Sequence, residues 1–109
     1  MWGVKKVDSI FEERLAELTA EFHRSLPACL CEIATMTADA ESGVIPAMEK
    51  LRLTLHRLAG SAASFGLPKL SSSAQSVEEC VDRDLGRVPP VLSDESRAGL
   101  AALSSVATE

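Results

Sequence analysis

Residues 46–66 read PAMEKLRLTLHRLAGSAASFG, and this stretch decides the fold class of the chain. Its apolar residues recur with the 3.6-residue period of an α-helix, which gives the segment one continuous apolar side. These residues are Met48, Leu51, Leu55, Leu58, Ala62 and Phe65. Pro46 suits the first turn of a helix, and Gly66 suits the left-handed conformation that commonly ends one. The stretch therefore predicts one amphipathic helix that packs against a core.

The segment before this helix carries the same period. Ser9 and Glu12 have the spacing of a capping box, which predicts that the first helix begins at Ser9. Pro27 either kinks one long helix or separates two. The residues expected to face the core are Phe11, Leu15, Leu18 and Phe22, followed beyond Pro27 by Leu30, Ile33 and Met36.

Two further helices follow. Pro68 opens the next one directly after Gly66, and so short a connection predicts antiparallel neighbours. A last helix is expected after Ser93, with acidic residues in its first turn, where they suit the helix dipole. Loops are predicted over 39–46 and 86–90. The predicted core residues of these two helices are Leu70, Ala74, Val77, Val81, Leu100, Leu103 and Val106.

No segment has the alternating pattern of a β-strand, so the predicted fold class is all-α. The architecture expected is an antiparallel up-and-down four-helix bundle with an additional N-terminal helix or a kinked first helix. The length of 109 residues predicts one domain, 1–109.

Composition excludes several classes of function. The formal net charge of −5 argues against nucleic-acid binding and weakly against an anionic membrane. No run approaches the roughly 20 apolar residues of a membrane span, and the N-terminus lacks the pattern of a secretory signal. Cys29, Cys31 and Cys80 have no zinc-site spacing, and we expect them to be buried, reduced thiols of a cytoplasmic protein.

His56 is the strongest candidate for a functional residue. At about 100° per residue it lies roughly 120–140° from the centre of the apolar side, so its ring is directed to solvent or to the rim of the core. Leu53 flanks this face, with Arg52 and Arg57 as basic neighbours. A glycine in mid-helix costs about 1 kcal/mol relative to alanine, and close approach by another molecule explains one. The small residues on this face are Ala59, Gly60 and Ala63.

An exposed imidazole suits one kind of chemistry. An unperturbed imidazole is mostly neutral and nucleophilic at pH 7. Phosphoryl transfer needs an in-line acceptor and electrostatic stabilisation of the oxygens, and little else. A lone histidine on a convex helix is not a complete enzyme. We therefore expect His56 to accept and return a phosphoryl group while a partner protein supplies the rest of the active site.

The segment 56–66, HRLAGSAASFG, resembles the signature of histidine-containing phosphotransfer (HPt) domains, H-x-L-K-G-[SA]-[SA]-x-x-x-G, which is followed by a helix with a leucine near its start. The resemblance extends over most of the chain, because an HPt domain is a four-helix bundle of this length with an extra N-terminal helix. The matching residues are His56, Leu58, Gly60, Ser61, Ala62, Gly66 and Leu70.

The resemblance implies a phosphorelay intermediate of two-component signalling. His56 is then expected to take a phosphoryl group from an aspartate of one receiver domain and to pass it to another. A hybrid histidine kinase is a further candidate partner. The chain is expected to be a cytoplasmic monomer that binds no cofactor or metal, because the receiver holds the magnesium ion.

One departure from the family pattern is Ala59, which stands where the family has a lysine that helps neutralise the phosphoryl oxygens. Arg52, Arg57 or Lys69 is expected to supply the charge instead. Glu78 lies where family members often carry Gln or Glu near the histidine. It either orients the ring by a hydrogen bond or is a plain surface carboxylate.

The missing lysine also favours an alternative function, an adaptor that binds a receiver without being phosphorylated. A metal or acid–base enzyme is disfavoured, because no Asp/Glu-x-x-His pair lies at helical spacing on an inward face and no nucleophile–base pairing is visible. His23 has no glycine neighbour and matches no motif, so it is expected to be a surface or boundary histidine.

Overall fold

The computed structural model describes the backbone of residues 2–41 and 44–107, and the side chains within these ranges from Ser9 onward. It contains four helices: α1 (Trp2–Glu41), α2 (Ile45–Ser64), α3 (Pro68–Leu85) and α4 (Asp94–Val106). No strand occurs in the described ranges. The pair α2 and α3 packs most extensively, α1 packs on α2 and α4, and α3 packs on α4. The predicted all-α four-helix bundle is confirmed.

The first helix differs from the prediction in three ways. It is already helical at Trp2, so Ser9 does not cap it and the predicted start is wrong. Pro27 lies inside one continuous helix of 40 residues, so it does not separate two helices. The helix also continues to Glu41, so the loop predicted from Asp39 begins later. Ser42 and Gly43 of that loop lie outside the described residues.

The N-terminal half of α1 extends beyond the bundle. A 40-residue helix is about 60 Å long, and the longest dimension of the protein is 61 Å. Phe22 stacks on Phe65 near the end of α2, with ring centroids 5.3 Å apart, and marks where the two helices part. Beyond that point Phe11 is 67% and Leu15 is 42% exposed. Their predicted core role is wrong, because no other described helix reaches that far along α1.

The core lies where the four helices face one another. From α1 it takes Leu26, Ile33 and Ala40, which recur every seven residues. Gly99 of α4 lies against Val77, since a Cβ at this position would come within 2.6 Å of a valine methyl carbon. The predicted core residues of the last three helices are buried except for Phe65 and Val106, which are half-buried. The buried ones are Met48, Leu51, Leu55, Leu58, Ala62, Leu70, Ala74, Val77, Val81, Leu100 and Leu103.

Two connections fix the order of α2, α3 and α4. Gly66 has a φ of +82°, the left-handed conformation expected of it, and the Leu67 N–H donates to the Ala62 carbonyl at 2.9 Å. This turn leads directly into α3 and makes it the neighbour of α2. At the start of α4, the Ser93 hydroxyl accepts a hydrogen bond from the Ser96 N–H at 3.2 Å.

Asp84 ties the end of α3 to the start of α4. It is 1% exposed and accepts hydrogen bonds from the Ser93 N–H, the Ser93 hydroxyl and the Ser96 hydroxyl at 2.9, 3.1 and 2.6 Å. Burial raises the pKa of this carboxyl group, but these hydrogen bonds and the nearby Arg87 guanidinium outweigh burial and leave the pKa below its ordinary value. Asp84 is therefore a buried, charged carboxylate that acts as a staple between α3 and α4.

The remaining expectations concern membranes and thiols. Among the described helices, none has the length and apolar character that crossing a bilayer requires. The three cysteines are free, but none is buried. Cys31 is exposed, because α1 turns this position away from the other helices, and Cys29 and Cys80 are half-buried. Their predicted burial is wrong.

Candidate functional site

His56 lies in the middle of α2 on the side away from the core. Its side chain is 68% exposed, because the neighbouring Leu55 and Leu58 take the core positions. The ring nitrogen Nδ1 lies 3.0 Å from one carboxylate oxygen of Glu78 on α3 and 3.3 Å from the other. The Glu78 side chain is only 17% exposed, so the antiparallel helix holds this carboxylate beside the ring.

This contact determines which ring nitrogen is free. A carboxylate can only accept a hydrogen bond, so the Nδ1 atom of His56 must carry the proton that it donates to Glu78. In the neutral imidazole the other nitrogen, Nε2, then has the lone pair. The site therefore presents a nucleophilic nitrogen on an exposed ring.

A shallow hollow of about 270 Å³ lies on one side of the ring, between α2 and α3. Apart from the adjacent residues and backbone of α2 itself, no atom lies within 4 Å of a Cβ built on Gly60, so packing within the described chain does not require a glycine there. The hollow brings together five residues predicted for the site with two others. These are His56, Ala59, Gly60, Ala63 and Glu78, together with Ser71 and Gln75.

Arg52 lies beside a second hollow of about 300 Å³, on the other side of the ring. Its NH1 atom is 3.9 Å from a Glu78 carboxylate oxygen, and its Nε atom is 3.8 Å from one of Asp82. The Arg52 side chain is 37% exposed and that of Asp82 is 71% exposed. The arginine is therefore near the histidine and is held by two weak ionic contacts.

Three other residues predicted for the site lie outside the two hollows. Leu53 is 40% exposed, and Arg57 and Lys69 are exposed as well, but none of the three lines either hollow. His23 is exposed on α1, and its ring contacts Phe22 edge to face at 6.1 Å. The predicted surface position of His23 is confirmed.

Four polar residues of α3 border the site and were not predicted as part of it: Ser71, Gln75, Glu79 and Asp82. The Ser71 hydroxyl donates to the Ala59 carbonyl at 2.7 Å and so joins the two helices beneath the hollow. Ser71, Gln75, Glu78 and Asp82 recur at intervals of four, three and four, which is one face of a helix. This polar stripe was a signal in the sequence that could have found them.

The protein is a helical bundle with an exposed histidine in mid-helix that is hydrogen-bonded to a carboxylate. Such a protein presents its imidazole to a partner protein and does not enclose a substrate. Residues 7–106 match the model of the Hpt domain family, so the chain belongs to this family. Membership implies histidine phosphotransfer in a two-component phosphorelay. Comparisons with curated proteins and with solved structures give no match.

Proposed function

We propose that this chain is a phosphorelay intermediate that carries a phosphoryl group on Nε2 of His56. The observation that supports this most directly is the 3.0 Å contact between Nδ1 of the exposed ring and Glu78. It places the proton on one nitrogen and leaves the lone pair on the other, which faces away from that carboxylate. Membership of the Hpt domain family supplies the class of reaction.

The transfer step follows from this arrangement. The Nε2 lone pair attacks the phosphorus of an aspartyl phosphate on a receiver domain, the P–O bond breaks, and the aspartate leaves as a carboxylate. Nδ1 keeps its proton, so the phosphorylated ring carries a positive charge that the Glu78 carboxylate stabilises. The reverse step passes the group to a second receiver. The receiver holds the magnesium ion, so this chain acts as a transfer intermediate and not as a complete enzyme.

The receiver is proposed to dock on the exposed face of α2 around the histidine. Leu53 and Ala63 supply exposed apolar surface on this face, and Arg57 supplies a positive charge. The open space above Gly60 lets another backbone approach the helix closely. A hybrid histidine kinase that carries such a receiver is an equally suitable partner. We propose that the protein acts in the cytoplasm as a monomer.

Labelled phosphate tests the proposal. A phosphorylated receiver from the same pathway should transfer its label to this chain, and the label should be labile in acid and stable in base. His56→Gln is expected to abolish labelling, and His23→Gln, the matched control at the second histidine, should leave labelling unchanged. Equal labelling of wild type and His56→Gln would contradict the assignment of the acceptor.

A second candidate function is an adaptor that binds a receiver and is never phosphorylated. Ala59 favours it, because this position brings no positive charge to the ring. An adaptor would bind a receiver with the same affinity in wild type and in His56→Ala, and neither protein would acquire label. Transfer of label to wild type decides for the relay.

A further inference from the structure

Phosphorylation of His56 would add negative charge to a site that already holds several carboxylates. A phosphoryl group brings about −1.5 to −2 charges at pH 7. It would lie across the ring from the Glu78 carboxylate, and Glu79 and Asp82 also border this side of the site on α3. Arg52 is the sole cation among the described residues that line the two hollows flanking the ring. The phosphorylated state therefore needs Arg52 more than the free protein does.

Arg52 is positioned to move to the acceptor nitrogen. It precedes His56 by four residues, so the two side chains leave adjacent turns of α2 with Cβ atoms about 5–6 Å apart. Around the helix it lies about 40° from His56, whereas Arg57 lies about 100° away on the other side. The contacts of Arg52 with Glu78 and Asp82, at 3.9 and 3.8 Å, are longer than hydrogen bonds. Exposed ion pairs of this kind hold a side chain weakly.

We infer that Arg52 is the phosphoryl-binding residue of this protein. On phosphorylation its guanidinium leaves Asp82 and donates hydrogen bonds to the phosphoryl oxygens on Nε2 of His56. A guanidinium suits this role, because its N–H groups form a fork that matches two oxygens at once. The inference rests on the proposed function, and it names which residue of this chain supplies the charge that Ala59 does not.

Phosphoramidate is a small donor that tests Arg52 without any receiver. The Nε2 lone pair attacks its phosphorus, the P–N bond breaks, and ammonia leaves. The new bond joins Nε2 to phosphorus, and Nδ1 keeps its proton. Because no protein partner takes part, any change in rate belongs to the acceptor site itself and not to docking.

The experiment measures the rate of His56 phosphorylation by phosphoramidate in matched variants. Arg52→Gln is expected to slow the reaction about tenfold, the size expected for one lost charge-assisted hydrogen bond. Arg83→Gln is the control: it removes the same charge and a surface ion pair, with Glu95 at 3.6 Å, at a place away from both hollows. Arg52→Lys should keep part of the rate. The added lysine in Arg52→Gln/Ala59→Lys should restore it from the other side of the ring.

The variant Asp82→Asn distinguishes a role of Arg52 in binding the phosphoryl group from a merely structural role of Arg52. This variant frees the guanidinium, so its rate should equal or exceed that of wild type, and a loss like that of Arg52→Gln would contradict the inference. Equal rates in Arg52→Gln and Arg83→Gln would overturn the role of Arg52 and leave the proposed function standing. If neither phosphoramidate nor a phosphorylated receiver labels wild type on His56, the proposed function and this inference both fail.

Discussion

Glu78 and Asp84 are two carboxylates on the same helix, six residues apart, with opposite surroundings. Asp84 is 1% exposed and accepts hydrogen bonds from one backbone N–H and two hydroxyl groups. Glu78 is 17% exposed and faces an imidazole that is itself largely exposed. The donors to Asp84 belong to the chain segment that begins α4, whereas the partner of Glu78 is a ring open to solvent.

The difference shows how one helix serves both the fold and the site. The hydrogen-bond donors to Asp84 all belong to the fold itself, so its charge serves only to join α3 to α4. The His56 ring and the Arg52 guanidinium beside Glu78 are both accessible, so the charge of Glu78 remains available to a reaction at the ring. Substitutions at Asp84 should therefore change stability, and substitutions at Glu78 should change chemistry.

The largest effect is expected from Asp84→Ala. Removing the carboxylate leaves the buried Ser96 hydroxyl and the half-buried Ser93 N–H without their acceptor. We expect the free energy of unfolding to fall by about 2–4 kcal/mol, measured by urea denaturation at pH 7. Asp82→Ala, two residues earlier and exposed, should change it by less than about 0.5 kcal/mol. Similar values for the two variants would contradict the special role of Asp84.

A smaller effect is expected from Glu78→Ala, and on the reaction instead of the fold. Phosphorylation of His56 by phosphoramidate should slow about tenfold, because the ring loses the group that selects its tautomer and stabilises its positive charge. The rate for Glu78→Gln should lie between those of wild type and Glu78→Ala, because its amide oxygen still accepts a hydrogen bond from Nδ1 but carries no charge. The control Glu95→Gln removes a carboxylate of the Arg83 ion pair, away from the ring.

Nitrogen NMR of the His56 ring distinguishes a positioning role of Glu78 from a general effect. In wild type the shifts should report a protonated Nδ1 and an unprotonated Nε2, and Glu78→Ala should show a mixture of both tautomers. The same tautomer in both proteins would show that Glu78 does not orient the ring, whatever the rates are.

The smallest effect is the dependence of stability on pH. The folded-state pKa of Asp84 lies below its ordinary value, so the unfolded chain binds more protons in acid. The stabilisation is therefore complete above the unfolded pKa of about 3.9 and is lost as the pH falls through the folded pKa. Between about pH 5 and pH 3 the free energy of unfolding should fall less steeply in Asp84→Asn than in wild type. Parallel curves would contradict this.

Much of the fold was predictable, because three of the helices obey local rules. The period of the apolar residues, Pro46 and Pro68 at helix starts and Gly66 at a helix end located α2 and α3. Local rules were wrong at the first helix. Phe11 and Leu15 have the period of core residues, but burial also requires that another helix lie beside that part of α1.

The site was predictable in part for the same reason. The exposed position of His56 follows from the helical period of its own segment. Other features of the site and fold join residues that are far apart in the sequence. His56 contacts Glu78, 22 residues later, and Ser71, which borders the hollow with Gln75, bonds to Ala59, 12 residues earlier. Asp84 accepts a hydrogen bond from Ser96, 12 residues later, across a loop. Such contacts depend on how two helices are aligned, which local sequence rules do not specify.

The sequence by itself determined the helical class, the apolar side of each of the last three helices and the outward direction of the histidine, because all three depend on a repeat of a few residues. The tertiary structure alone decided which end of α1 has no covering helix, and which carboxylate meets the ring and which becomes a buried staple. The physical reason is that these outcomes depend on the distances between helices.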